Sequence, residues 1–111
     1  MADQPTSIAD SFPALKAAFQ PDRASGVDKT IQFDFTGREA GTWNLHVHDG
    51  TVDYAEAPAQ SPNATISVDS DDWLNILNGA LNPVTAFMGG KLKVQGDMGL
   101  AMQFQNWFAR A

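Results

Sequence analysis

NPVTAFMGGKLKVQGDMGLAMQF, residues 82–104, changes its backbone signal several times within one short stretch. Asn82-Pro83 opens a short helix, because proline suits the first helical position, where the missing N–H would have no intrahelical partner. Gly89-Gly90 stops that helix. Residues 91–95 then alternate polar and apolar as a strand does, Gly96-Asp97 turns the chain, and a second amphipathic helix starts at Met98. Phe87, Met88, Leu92, Val94, Met98, Leu100, Met102 and Phe104 fall within this stretch and include three of the four methionines. Met and Phe adapt to irregular apolar space, so the cluster suits either a core or a pocket, and periodicity alone favours a core.

Working outward, residues 6–20 place Ile8, Phe12, Leu15 and Phe19 on one helical face, with Thr6 or Ser7 as cap and Pro21 as stop. Pro13 predicts a kink or a restart of the helix at that point. Residues 22–29 read as a polar loop. From Thr30 the period becomes two: Ile31, Phe33 and Phe35 form one strand, Trp43, Leu45 and Val47 a second, and Val52 and Tyr54 a third. Asp49-Gly50 is a hairpin signal, since a type I′ turn needs positive φ at both central residues. Residues 55–63 form a loop, and Ala64, Ile66 and Val68 mark a fourth strand. A helix spans residues 69–79: Asp69 or Ser70 caps it, Asp71 and Asp72 suit its positive end, and Gly79 closes it. Trp73, Ile76 and Leu77 share its apolar face. The last helix runs over residues 97–109, with Leu100, Phe104, Trp107 and Phe108 in register. Each strand has one apolar and one polar face, which predicts a sheet with one wet side and one side covered by helices.

Composition narrows the function. The chain has 111 residues, the usual size of a single domain, here residues 1–111. Its net charge of −6 and only seven Lys and Arg argue against a nucleic-acid binder and against firm attachment to an anionic membrane, leaving transient membrane contact. Without cysteine there is no disulfide, thiol nucleophile or thiolate metal site. The N-terminal decapeptide MADQPTSIAD is polar and acidic, so neither a signal peptide nor a membrane span is expected, and the cytoplasm is the default compartment.

Several constellations reduce to ordinary structure. His46 and His48, two apart on one strand, have a chelating spacing, but no third ligand is indicated and a solvated pair is expected. Asp69, Asp71 and Asp72 have the spacing of a calcium loop, yet Leu74 stands where that loop needs glycine, so capping is the reading. Gly90-Lys91 is no phosphate loop, since Thr85 stands at its first glycine. Asn63-Ala64-Thr65 matches a glycosylation acceptor by chance in a chain without a secretory signal. There is no G-x-S-x-G elbow, and Tyr54 is the one titratable group at an inward position, so no enzyme and no cofactor are expected.

The run ATISVDSDDWLNILNGALNPVTAFMGGKLKVQGDMGLAM, residues 64–102, resembles the C-terminal half of the sterol carrier protein type 2 family of small lipid-binding domains, in its prokaryotic-type, stand-alone form. The resemblance rests on the order and spacing of Asp69, Trp73, Gly79, Asn82-Pro83, Ala86-Phe87, Gly90-Lys91-Leu92-Lys93-Val94, Gly96-Asp97 and Leu100-Ala101. It implies an α+β fold: a five-stranded mixed, mostly antiparallel sheet, one face covered by four to five helices, enclosing an apolar lipid tunnel. By position, Phe87, Met88, Leu92, Val94, Met98, Leu100, Met102 and Phe104 would line that tunnel, with Ile76 and Leu77 as a second wall. The many large rings (Phe33, Phe35, Trp43, Tyr54, Trp73, Phe87, Phe104, Trp107 and Phe108) favour a cavity on the expectation that sheet and helices cannot interdigitate around them. The implied function is non-catalytic binding and transfer of a fatty acid, fatty acyl-CoA, sterol-like or isoprenoid-like lipid by a monomer or weak homodimer. The chain ends Phe108-Ala109-Arg110-Ala111 without a peroxisomal signal, which speaks against sterol and the peroxisome. A second reading is an accessory module whose apolar groove binds a lipid-modifying enzyme.

Overall fold

The computed structural model describes residues 7–104 and Trp107, the side chains of Ala101, Met102 and Phe104 excepted. Helix α1, Ile8–Ala18, is capped by the Ser7 hydroxyl, which accepts from the Asp10 amide, and it buries Ile8, Phe12 and Leu15. It runs through Pro13 without restarting, because the burial of Phe12 and Leu15 on either side of the proline outweighs the one amide bond that Pro13 lacks. Beyond it, residues Pro21–Ala24 form a short 3-10 turn around the buried Ala24, where the sequence suggested only loop.

Strands β1, Lys29–Thr36, β2, Gly41–His48, and β3, Thr51–Ala55, form an antiparallel meander. Asp49 and Gly50 both take positive φ, 48° and 73°, as the two-residue hairpin requires. Strand β4, Ala64–Asp69, returns beside β1 in parallel, and β5, Leu92–Gly96, pairs antiparallel with β4, giving the order β3-β2-β1-β4-β5. Between β4 and β5 lie α2, Ser70–Leu77, and α3, Pro83–Met88; α4, Met98–Phe104, follows β5.

The expected caps are in place. Asp69 accepts from the Asp71 and Asp72 amides, Asn82 from those of Val84 and Thr85, and Asp97 from that of Leu100. Two glycines have a steric reason to be glycine. At Gly37, φ +88°, a Cβ would strike the capping carboxylate of Asp69. At Gly96, φ +89°, it would lie 2.6 Å from the Asn63 carbonyl oxygen. Asn63 ties three segments together, its carbonyl accepting from Asp97, its amide donating to Thr30 and its side-chain oxygen accepting from the Thr30 amide.

Candidate functional site

Strand register arranges the apolar face of the sheet in rows. Phe35, Val68 and Leu92 are neighbours across β1, β4 and β5; Trp43, Phe33, Ile66 and Val94 form the next row; Tyr54, Leu45, Ile31, Ala64 and Gly96 the next. The helices divide this face in two. α1 packs on α2 and β3, whereas α3 packs on β5 and α4 on β4 and β5.

The half under α1 and α2 is solid. The fully buried Phe12 ring stacks on Trp43 at 4.6 Å and 8°, meets Phe33 edge-on at 5.7 Å, and has Phe35, Tyr54 and Trp73 within 6.4 Å. Five of the rings expected to leave gaps therefore close around Phe12 instead, because a sixth ring delivered by α1 fills the space between them. A short polar chain fastens this half: the Trp73 indole donates to the Ser11 hydroxyl, which donates to the Ile8 carbonyl, and the Ile8 amide donates to Glu39. Tyr54, the candidate titratable group, belongs to this aromatic cluster.

The half under α3 and α4 is open by comparison. In two of these rows the buried pairs Phe35–Val68 and Phe33–Ile66 are followed at β5 by half-buried Leu92 and Val94. Of the other candidate lining residues, Ile76 and Leu100 are buried and Leu77 is half-buried. Phe87 is 38% exposed, Met98 45% and Met88 81%. Leu92, Val94, Met98, Leu100, Phe87 and Met88 thus belong to one corner of the fold, on β5 and the two helices against it, while Ile76 and Leu77 lie on α2. Met102 belongs to α4 and Phe104 ends it, and both side chains lie outside the described residues.

Sequence reasoning missed Val84, 42% exposed. The signal was available: Val84, Phe87 and Met88 stand at i, i+3 and i+4, one face of a helix, and that face of α3 is directed away from the core, which receives only Ala86.

Titratable groups gather elsewhere, on the polar side of β2. The His46 and His48 rings stack at 4.3 Å, each with an Nε2 atom 2.7 Å from a carboxylate, Asp28 and Asp53 respectively. Hydrogen bonds accepted by Asp53 and then Asp49 raise the His48 pKa, and the bond from His48 lowers that of Asp53. Among the described residues no group of three or more His, Cys, Asp or Glu is arranged to hold a metal ion. No described helix is long and apolar enough to cross a membrane.

The model of the SCP-2 sterol transfer family matches residues 12–109. This chain belongs to the SCP-2 sterol transfer family. The match agrees with the resemblance, whose motifs lie in residues 64–102 and whose pattern covers nearly the whole chain. Among relatives, hydroxysteroid dehydrogenase-like protein 2 of Bos taurus is 31% identical over 101 residues, 89% of this chain but 24% of that protein. The chain thus spans about a quarter of the length of such relatives. Among solved structures, a double mutant of the sec-alkyl sulfatase PisA1 superposes with a TM-score of 0.86 at 19% identity, covering 95% of this chain and 17% of that one. Palmitated SCP2L2 of Aedes aegypti superposes at 0.72 with 24% identity, covering 91% of this chain and 93% of that one. At these identities the structures show the fold, an SCP-2 arrangement of five strands and four helices.

Proposed function

We propose that this SCP-2 chain is a non-catalytic carrier that holds a single-chain lipid, a fatty acid or fatty acyl derivative, between β5 and helices α2, α3 and α4. The observation that carries this reading is the fall in packing from buried Phe33 and Ile66 in the middle of the sheet to half-buried Val94 at its β5 edge, beside the exposed apolar side chains of Phe87 and Met98. The palmitate on the Aedes relative supports an acyl chain as the ligand class. Burying about ten methylenes at about 0.8 kcal/mol each supplies on the order of 8 kcal/mol before ordering costs, so a micromolar range is within reach without a polar contact. Ile76, Leu77, Leu92, Val94 and Leu100 are the proposed lining, extended by Met102 and Phe104 of α4, with Phe87, Met88 and Met98 at its exposed rim.

Native mass spectra of the freshly purified chain, compared with spectra after denaturation, test the proposal. It predicts an adduct of lipid mass that denaturation releases and organic solvent extracts. An apo mass together with failure to bind a fluorescent fatty acid would refute it.

A second reading, an accessory module of a lipid-modifying enzyme, is favoured by one observation: similar sequence or fold forms only about a quarter of the dehydrogenase-like relatives and 17% of the alkyl sulfatase chain. It predicts that the lipid-loaded chain supplies substrate to a partner enzyme faster than free lipid does, and equal rates would exclude it.

A further inference from the structure

We propose that α3 and the edge strand β5 form a docking surface for a phospholipid bilayer bearing anionic headgroups, a proposal that gives the carrier reading its route of lipid exchange and rests on it to that extent.

α3 is an amphipathic helix with its apolar face outward. It buries Ala86 and leaves Val84, Phe87 and Met88 exposed, with Met98 exposed at the start of α4. Such a face in water is costly unless something covers it at times. Charge says what covers it. Lys91, just before β5, and Lys93, on it, follow α3 closely and are both exposed, and the Lys91 amide donates to the Ala86 carbonyl, which fixes the lysines beside the helix. Residues 73–96 contain both lysines and not one Asp or Glu, in a chain whose net charge is −6. Among the other cations, Arg38 lies 2.8 Å from Asp71 and Lys16 lies 4.0 Å from Asp53, while Arg23 bonds to the neutral Gln20. Neither Lys91 nor Lys93 forms an ion pair among the described residues.

The sheet order completes the arrangement. β5 is an edge strand, and the acidic cluster of Asp28, Asp49 and Asp53 sits toward the opposite, β3 edge. An edge-on approach therefore inserts the apolar side chains of α3 at the acyl boundary, lets the two long lysine side chains reach phosphate, and keeps this acidic cluster away from the membrane. The face is also adjacent to the proposed lipid site, since α3 packs on β5. Each lysine near an anionic surface contributes enough that replacing both weakens partitioning roughly thirtyfold.

Vesicle flotation tests this, with phosphatidylcholine vesicles made with and without phosphatidylglycerol. The native chain is expected to float with the phosphatidylglycerol vesicles and far less with phosphatidylcholine alone. Lys91→Gln with Lys93→Gln should reduce that binding roughly thirtyfold, and Met88→Asp should reduce it too, both with native circular dichroism. The lysine variant should take up a monomeric fluorescent fatty acid as the native chain does. No binding of the native chain to phosphatidylglycerol vesicles, or equal binding by native and lysine-substituted chains, overturns the proposal. So does a native dimer in sedimentation velocity that Met88→Asp dissociates, if vesicle binding is absent, because the face would then be covered by a second copy. Should vesicle binding follow the lysines while fatty-acid uptake is absent, the docking surface stands and the carrier reading fails.

Discussion

Replacing Phe12 by Leu separates the two halves of the apolar face. Phe12 is fully buried and its ring is the hub of the aromatic cluster, stacked on Trp43 at 4.6 Å and edge-on to Phe33 at 5.7 Å. Leu removes part of the apolar area, about 1 kcal/mol, and the two best-oriented ring pairs, about 0.5–1.5 kcal/mol each. The expected loss is about 2–4 kcal/mol. At about 4–8 °C per kcal/mol for a domain near this size, Tm should fall by about 10–30 °C. A domain holding about 5–15 kcal/mol survives this at low temperature. Thermal unfolding followed by circular dichroism measures the first effect, and titration with a fluorescent fatty acid well below Tm measures the second. Fatty-acid affinity should change by less than about twofold, because 1.4 kcal/mol is needed for tenfold and the ring has no part in the β5 corner. A tenfold loss of affinity in the folded variant would refute the division of the face, and an unchanged Tm would refute the packing argument.

Met98→Gln keeps the side chain's shape but sets an amide against the acyl chain without a partner; at about 1–3 kcal/mol this should weaken fatty-acid binding roughly tenfold or more while the fold is retained, as titration and circular dichroism will show. Gly96→Ala forces a Cβ to 2.6 Å from the Asn63 carbonyl at φ +89°, so unfolding in urea should show a loss of about 2–4 kcal/mol, with the β4–β5 amides losing hydrogen-exchange protection first. The His48 imidazole, raised by its bonds to Asp53 and Asp49, should titrate by NMR above the ordinary histidine value, and Asp53→Asn should bring it down. Its pair stabilises the fold at pH below the ordinary histidine value and is lost as pH rises through the raised one. Asp53, whose pKa is lowered, contributes above the ordinary carboxylate value and loses that contribution as pH falls through its own.

Much of this fold was legible because its signals are local. Alternation at Ile31, Phe33 and Phe35 needs only two-residue periodicity, and the caps at Asp69, Asn82 and Asp97 need only a short polar side chain before a helix. Asp49-Gly50 fixed one register outright. Other features depend on what meets what in space. Strands β1 and β4 alternate in the same way whether paired parallel or antiparallel, so the parallel pairing cannot be read from either one. The helix at Pro13 continues because Phe12 and Leu15 are buried on both sides of it, a tertiary gain that no local propensity contains. The closing of rings around Phe12 was misread as gaps for the same reason. At the candidate site the apolar corner was visible in residues 82–104, since its members are close in sequence. Val84 was overlooked although its i, i+3, i+4 relation to Phe87 and Met88 was present, because an apolar helical face is ordinarily assigned to a core.

The location of a bound acyl chain tests the central claim most directly. With methyl-labelled Leu, Val, Ile and Met and unlabelled palmitate, intermolecular nuclear Overhauser effects report which side chains touch the ligand. The proposed site predicts contacts from the acyl protons to Leu77, Leu92, Val94, Met98 and Leu100, and none to Leu45, Val47 or Val52 in the half under α1. Contacts confined to that second group, or palmitate binding without any contact at β5 and α4, would contradict it.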